Sequence, residues 1–315
     1  MRRAGRTSPP TGCTVVRQSA GTGEYSTFQA AVNSLSTTAT GTQCIFIYQG
    51  TYNEQVYIAA RTAQLTVYGY TTDTSTYTSN TVTITQGLSQ DDVSSNDLTA
   101  TLRAHNVGLK VYNINLKNTR GNGSQALAVS AQATQQGYYG VQFIGYQDTI
   151  LANEGNQIYA RCYIDGATDF IFGQRARAWF YKADIRIKGT GYITANGRDS
   201  ESNVSYYVIT DSDIQAAPGV TIAAGSTYLG RPWRNYSRVV FQRTSMSAVV
   251  NSAGWVQWNS GDPRTDNVYY REYLNTGTGS QGTRASFSSQ LTAPETAANV
   301  LGSTYTTWAD MSYLS

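Results

Sequence analysis

Gly145-Tyr146-Gln147-Asp148-Thr149-Ile150 is followed, 21 residues on, by Gly166-Ala167-Thr168-Asp169-Phe170-Ile171-Phe172-Gly173. The interval sets Asp148 and Asp169 one turn of a β-solenoid apart, where successive turns stack at roughly the 4.8 Å spacing of neighbouring strands. Two carboxylates stacked so closely cannot both ionise freely. The like charge raises one pKa and leaves an acid beside an anion. Such a pair is equipped for nucleophilic attack and for protonation of a leaving group.

The flanking sequence keeps this stride. Short β-rich runs occur at 45–48, 55–58, 65–68, 81–85, 110–116, 140–144, 157–164 and 178–187, and Phe143, Tyr163 and Ile185 recur at strides of 20 and 22. No helix of about 10–15 residues separates them, so a doubly wound sheet, which needs crossover helices, fits poorly. An irregular β-sandwich is the alternative on periodicity alone. The expected fold is all-β: a right-handed parallel β-helix with a short N-terminal helix and a C-terminal tail packed along the coils. Ser26-Thr27 caps that helix, on which Phe28, Ala31, Val32 and Leu35 form an apolar stripe. Residues 262–315 lose the stride and read as the tail, with a helix near Pro294–Val300. Residues 1–12 read as a processed or cloning-derived extension, and 13–315 as one domain with no linker inside it.

Composition narrows the function. The chain has 315 residues, of which 14% are charged, with 29 Gly, 24 Tyr and a net charge of +3. No Lys/Arg run is interleaved with aromatics, so a nucleic-acid partner is not expected. No stretch reaches the ~18 apolar residues of a membrane span, so no membrane partner is expected either. Mild basicity suits a polyanionic substrate. The start is basic but has no apolar signal core. Sequons at Asn122, Asn203 and Asn235 agree with a secreted, extracellular glycoprotein. If the strands after Cys13 and Cys44 are parallel neighbours, these cysteines fall at equivalent positions about 5 Å apart and can bridge. Cys162, between Ile158 and Ile164, reads as a buried thiol.

Five blocks then converge: Gly50-Thr51-Tyr52-Asn53-Glu54, Gln125-Ala126-Leu127-Ala128-Val129, Gln147-Asp148-Thr149-Ile150, Asp169-Phe170-Ile171-Phe172-Gly173 and Leu229-Gly230-Arg231-Pro232-Trp233. In this order they resemble the signature blocks of the pectin methylesterases (pectinesterases), most closely the fungal branch, over about residues 14 to 315. Leu127 and Ile150 are conservative departures, and Asn53 varies within the first block.

The resemblance implies a carboxylic ester hydrolase that removes methyl groups from esterified galacturonate (methyl-esterified homogalacturonan, pectin) without metal or cofactor. A monomer is expected. Carried over by motif, Asp169 would attack the ester carbonyl and Asp148 would protonate the departing methoxide. Gln125 and Gln147 would hold the oxyanion. Arg231 would pair with Asp169, orient it and lower its pKa. Trp233 would stack on a sugar ring, and Phe172 would add apolar surface beside the methyl ester.

Plainer uses exist for each residue. A lone Asp is usually a turn former, glutamines can form amide ladders, and Arg231 and Trp233 could be a surface ion pair and a core residue. Gly277–Gly282 matches GxGxxG, but no βαβ unit surrounds it. His105 is the single histidine and no G-x-S-x-G elbow is present, which weakens a Ser-His-Asp site or a zinc site. The competing functions are a pectin-cleaving glycosidase or lyase on the same solenoid, and an inactive carbohydrate-binding β-helix. Amide donors suit an oxyanion better than a glycosidase's cation-like transition state. A lyase would want a dense carboxylate cluster for calcium, which the chain does not offer. Both aspartates are present, against an inactive binder.

Overall fold

In the computed structural model, which describes residues 3–315, the chain winds into a parallel β-helix. Its strands form an 11-stranded and a 13-stranded sheet, and within them the strand pairs are parallel. The larger sheet is two ladders joined by the strands Tyr163–Gly173 and Asp184–Asn196, which run on through a corner. Inside the coil, like residues stack on like: the ring of Tyr138 lies 4.9 Å from that of Tyr159, which lies 4.5 Å from that of Phe180, with the ring planes nearly parallel. Ring spacing so close to the strand spacing gives each coil its register.

The corners revise one expectation. The runs 110–116, 157–164 and 178–187 each divide into two strands on different ladders. They hinge at Asn113, Arg161 and Lys182, whose φ values are 53°, 54° and 50°. The left-handed region costs a non-glycine residue roughly 1–2 kcal/mol. Each hinge N–H offsets this by donating to the next coil: Asn113 to Tyr139, Arg161 to Tyr181 and Lys182 to Thr210, at 2.8–3.1 Å.

The tail also starts later than expected. Tyr269–Tyr273 and Ser288–Gln290 add two further strands to the 11-stranded sheet. Their apolar signal is weak because one inward position is Glu272, 3% exposed, held by Arg284 at 2.8 Å. Beyond it, Val300, Leu301, Trp308 and Tyr313 cover the sheet's outer face against Tyr112, Tyr139, Ile158 and Trp179. The helix expected near 294–300 spans Ala297–Leu301, and the N-terminal one spans Phe28–Ser34, capped by Thr27. Residues ahead of Cys13 also join the fold. Arg6 bridges Thr71 through two backbone hydrogen bonds and lays its guanidinium 4.4 Å over Tyr68.

The first strand, Thr14–Val16, pairs with Thr42–Ile47 so that Thr14 faces Ile45, which sets Cys13 opposite Cys44. The two are bonded, with Cα atoms 4.6 Å apart. Cys162 is free and buried, and burial pushes its thiol up to about 12. The bridge spans a separation of 31 residues. Cys13→Ser is therefore expected to lower unfolding free energy by about 3–4 kcal/mol in the chain-entropy account. Urea denaturation of oxidised wild type and the variant measures it, and coincident curves would remove the bridge from the stability argument.

Candidate active site

Asp148 and Asp169 occupy one column of adjacent coils. Gln147 bridges Thr168, and the Asp148 N–H donates to the Thr168 carbonyl at 3.0 Å. Both aspartates are left-handed, with φ 64° and 51°. Aspartate is among the few non-glycine residues that tolerate this region. Each follows a glycine three residues earlier that leaves room for the turn. A Cβ on Gly145 would sit 2.5 Å from Thr149 Oγ1, and one on Gly166 2.4 Å from Phe170 Cβ. The same tight loop is thus built twice, one coil apart.

Arg231 arrives from a strand end further along the helix. Its Nε donates to Asp169 Oδ1 at 3.0 Å and its Nη2 to Oδ2 at 2.6 Å, a two-pronged pairing that a lysine cannot reproduce. The guanidinium packs over two aromatic rings, with its central carbon 4.0 Å from the centre of Tyr192 and 4.2 Å from that of Trp258. The planar cation is thereby held by both rings. No described residue makes a hydrogen bond to the Asp148 side chain.

The two carboxyls are 7% and 8% exposed. Burial pushes Asp148 well above the usual carboxylate range, the Asp169 charge pushes it further, and Arg231 opposes both. Asp169 is also raised, because burial outweighs the hydrogen bonds and charge of Arg231 that pull it down. The expected lowering by Arg231 is present, but burial outweighs it: Arg231 limits the rise without reversing it. Asp148 still has the stronger upward push and no direct cation. Asp148 is therefore the more readily protonated of the two.

Both carboxyls open into a cavity of about 270 Å³ lined by Asn96, Gln125, Gln147, Phe172, Ala195, Arg231, Trp233 and Trp258. Gln125 and Gln147 are half-buried, and no described residue hydrogen-bonds to either side-chain amide. Their donors are available to a guest. The floor is apolar because alternate strand residues point outward in register: Leu151 over Phe172 over Ala195. Trp233 packs against it, 6.1 Å from Phe172 between ring centres. Its backbone is tied down by Asn196 and Arg264. His105 is outside the cavity, 2.9 Å from Asp97. Among the described residues no group of three His, Cys, Asp or Glu side chains could hold a metal ion.

Sequence reading missed Asn96, Ala195, Tyr192 and Trp258. Tyr192 pairs in register with Thr168, so one more turn of the 21-residue repeat, corrected for the register shifts in that strand, leads to it. Trp258 sits in a loop without period and carried no signal.

A stacked carboxylate pair beside amide donors, on the outer face of a parallel β-helix, is the equipment of a carboxylate-based hydrolase. The pectinesterase family model matches residues 14–306. A pectinesterase of Aspergillus niger is 54% identical over 99% of this chain and 95% of its own length, and one of Aspergillus aculeatus 53% identical over 98% and 95%. Among solved structures, a pectin methylesterase from Aspergillus niger superposes with a TM-score of 0.92 at 42% identity, covering 98% of this chain and all of its own. One from carrot superposes at 0.82 with 30% identity, covering 91% and 90%. The chain belongs to the pectinesterase family, nearest its fungal members, and is a carboxylic ester hydrolase acting on the methyl esters of pectin.

Proposed function

We propose that Asp169 is the nucleophile and Asp148 the acid and base of methyl-ester hydrolysis. The carrying observation is the bidentate Arg231–Asp169 pair beside an unpaired Asp148 in one cavity. An Asp169 oxygen attacks the ester carbonyl carbon, and the oxyanion that forms accepts hydrogen bonds from the Gln125 and Gln147 amides. Collapse breaks the bond to the methoxy oxygen, which takes the Asp148 proton and leaves as methanol. The resulting anhydride is opened by a water whose proton goes to Asp148. The galacturonate acid departs, Asp169 returns as the carboxylate, and Asp148 is again protonated.

Every residue in this scheme comes from one chain, which supports a monomer as the active unit. The disulfide supports secretion, and among the described residues no helix is long and apolar enough to cross a membrane. Asn122 and Asn235 are exposed sequon positions suited to glycans. Asn203 is less suited, since its amide nitrogen already donates to Gln174 and Asp199.

The deciding assay follows three products from esterified pectin: methanol, new reducing ends and unsaturated ends. Methanol alone is expected. New chain ends in proportion to turnover would favour a glycosidase or lyase. Binding without any product would mean an inactive carbohydrate-binding protein.

The rate should rise with pH as Asp169 loses its proton and fall as Asp148 loses its own. Both groups are raised, so both limbs should lie above the ordinary carboxylate value. Initial rates of methanol release, with enzyme stability checked separately, test this. A profile flat between about pH 4 and 9 is incompatible with the assignment.

Trp233→Ala should raise KM for pectin roughly five- to tenfold, the equivalent of about 1–1.5 kcal/mol of lost stacking. The effect on kcat should be small. An unchanged KM would move the sugar contact elsewhere.

A further inference from the structure

We propose that Asp165, acting with Lys188, is a positioning residue for the catalytic pair: its carboxylate clamps the near end of the loop carrying Gln147 and Asp148, and its backbone carbonyl ties the far end to the strand carrying Asp169. The inference rests on the carboxylate-pair reading above. Left-handed Asp148 keeps its strained backbone only where its surroundings over-determine it. Asp165 supplies much of that constraint.

At the near end of the loop, the Gly145 N–H donates to Asp165 Oδ1 at 2.9 Å, and the Gly145 carbonyl accepts from Lys188 Nζ at 2.8 Å. Lys188 also lies 3.5 Å from Asp165 Oδ1, so one ion pair grips both polar groups of Gly145. At the far end, the Thr149 hydroxyl donates to the Asp165 backbone carbonyl at 2.8 Å. The Tyr163 hydroxyl donates to the other carboxyl oxygen at 3.2 Å. Between the two ends, the loop touches the same strand through Ala167 N–H to the Tyr146 carbonyl, at 2.7 Å, and Asp148 N–H to Thr168. A single strand, Tyr163–Gly173, therefore sets the acid, one amide donor and the nucleophile relative to one another.

Asp165 is 4% exposed, and the reaction makes no chemical use of it. A buried ion pair is weak evidence for stability on its own. Its contacts here converge on a catalytic loop, and misplacing reacting groups by about 1 Å can cost as much as 100-fold in rate.

Asp165→Ala is expected to lower kcat about tenfold with KM within about twofold of wild type. The alkaline limb of the pH profile should move to lower pH, because a loosened Asp148 is better solvated and further from Asp169. Asp165→Asn keeps an acceptor for the Gly145 N–H and should recover most of kcat. If Asp165→Ala does not fold, Lys188→Met releases the Gly145 carbonyl and should give the same loss and the same limb shift. A variant with a lowered Tm but wild-type kcat and an unmoved alkaline limb would overturn the positioning role. That outcome leaves the catalytic pair intact, whereas near-normal turnover in Asp169→Asn would remove the pair itself.

Discussion

Asp169→Asn should reduce methanol release from esterified pectin by about 10⁴-fold or more, the scale on which removal of a hydrolase nucleophile is felt. Asp148→Asn should fall in the same range, because methoxide is a poor leaving group without a proton donor. The substitution is well chosen for the backbone. Both positions are left-handed, and asparagine tolerates that region as well as aspartate does. The loss therefore reads chemistry and not strain. Asp169→Asn still offers Arg231 an amide oxygen, and Tyr192 and Trp258 continue to hold the guanidinium.

Stability supplies the control for Asp148. Its folded-state pKa is raised, so its contribution is largest below the unfolded pKa and is lost as pH climbs through the folded value. Above that, a buried charge opposes folding. Asp148→Asn should then melt no lower than wild type at neutral pH. Turnover within about tenfold of wild type in either folded variant would sink the mechanism.

The second large effect concerns the oxyanion. Gln147→Leu and Gln125→Leu should each cut kcat by roughly 10²–10³, the loss of about 3–4 kcal/mol found when one such donor is removed. KM should change little, since the donors strengthen their grip only as negative charge develops. Both amides are without hydrogen-bond partners among the described residues, so no internal network is broken. That separates them from a structural glutamine ladder. Steady-state kinetics of methanol release measure the effect. A kcat within about threefold of wild type in the Gln147 variant would take that amide out of the oxyanion site.

Arg231 stands between these groups. It limits the burial-driven rise of Asp169 without cancelling it, so the working pH window is set by how far the two carboxyls are desolvated as much as by the cation. That quantity is tertiary. From the sequence, the downward pull of Arg231 on Asp169 is legible and the larger upward push of burial is not, because a motif shows the partner and not the depth of burial.

The part of the protein that repeats is the part its sequence decides alone. In a solenoid, residues one coil apart touch, so a 21-residue interval is already a spatial statement. Gly145 and Asp148, repeated as Gly166 and Asp169, carry both the close-packed turn and the stacking of the acids. The Cys13–Cys44 register followed from the same parallel logic. Where the chain leaves the repeat, that logic stops. Arg231 lies 62 residues beyond Asp169, and its own blocks, not periodicity, pointed to it. Trp258 comes from an aperiodic loop, and only the packed structure brings it onto the guanidinium. The hinges at Asn113, Arg161 and Lys182 were hidden because a left-handed residue has no fixed sequence signature when a hydrogen bond to the next coil offsets its strain. The last strands were hidden because Glu272 and Arg284 fill an inward position that an apolar side chain would have announced. Contact between coils is written in the interval along the chain; burial, corner geometry and the loops that close over the site arise only when all the coils are stacked.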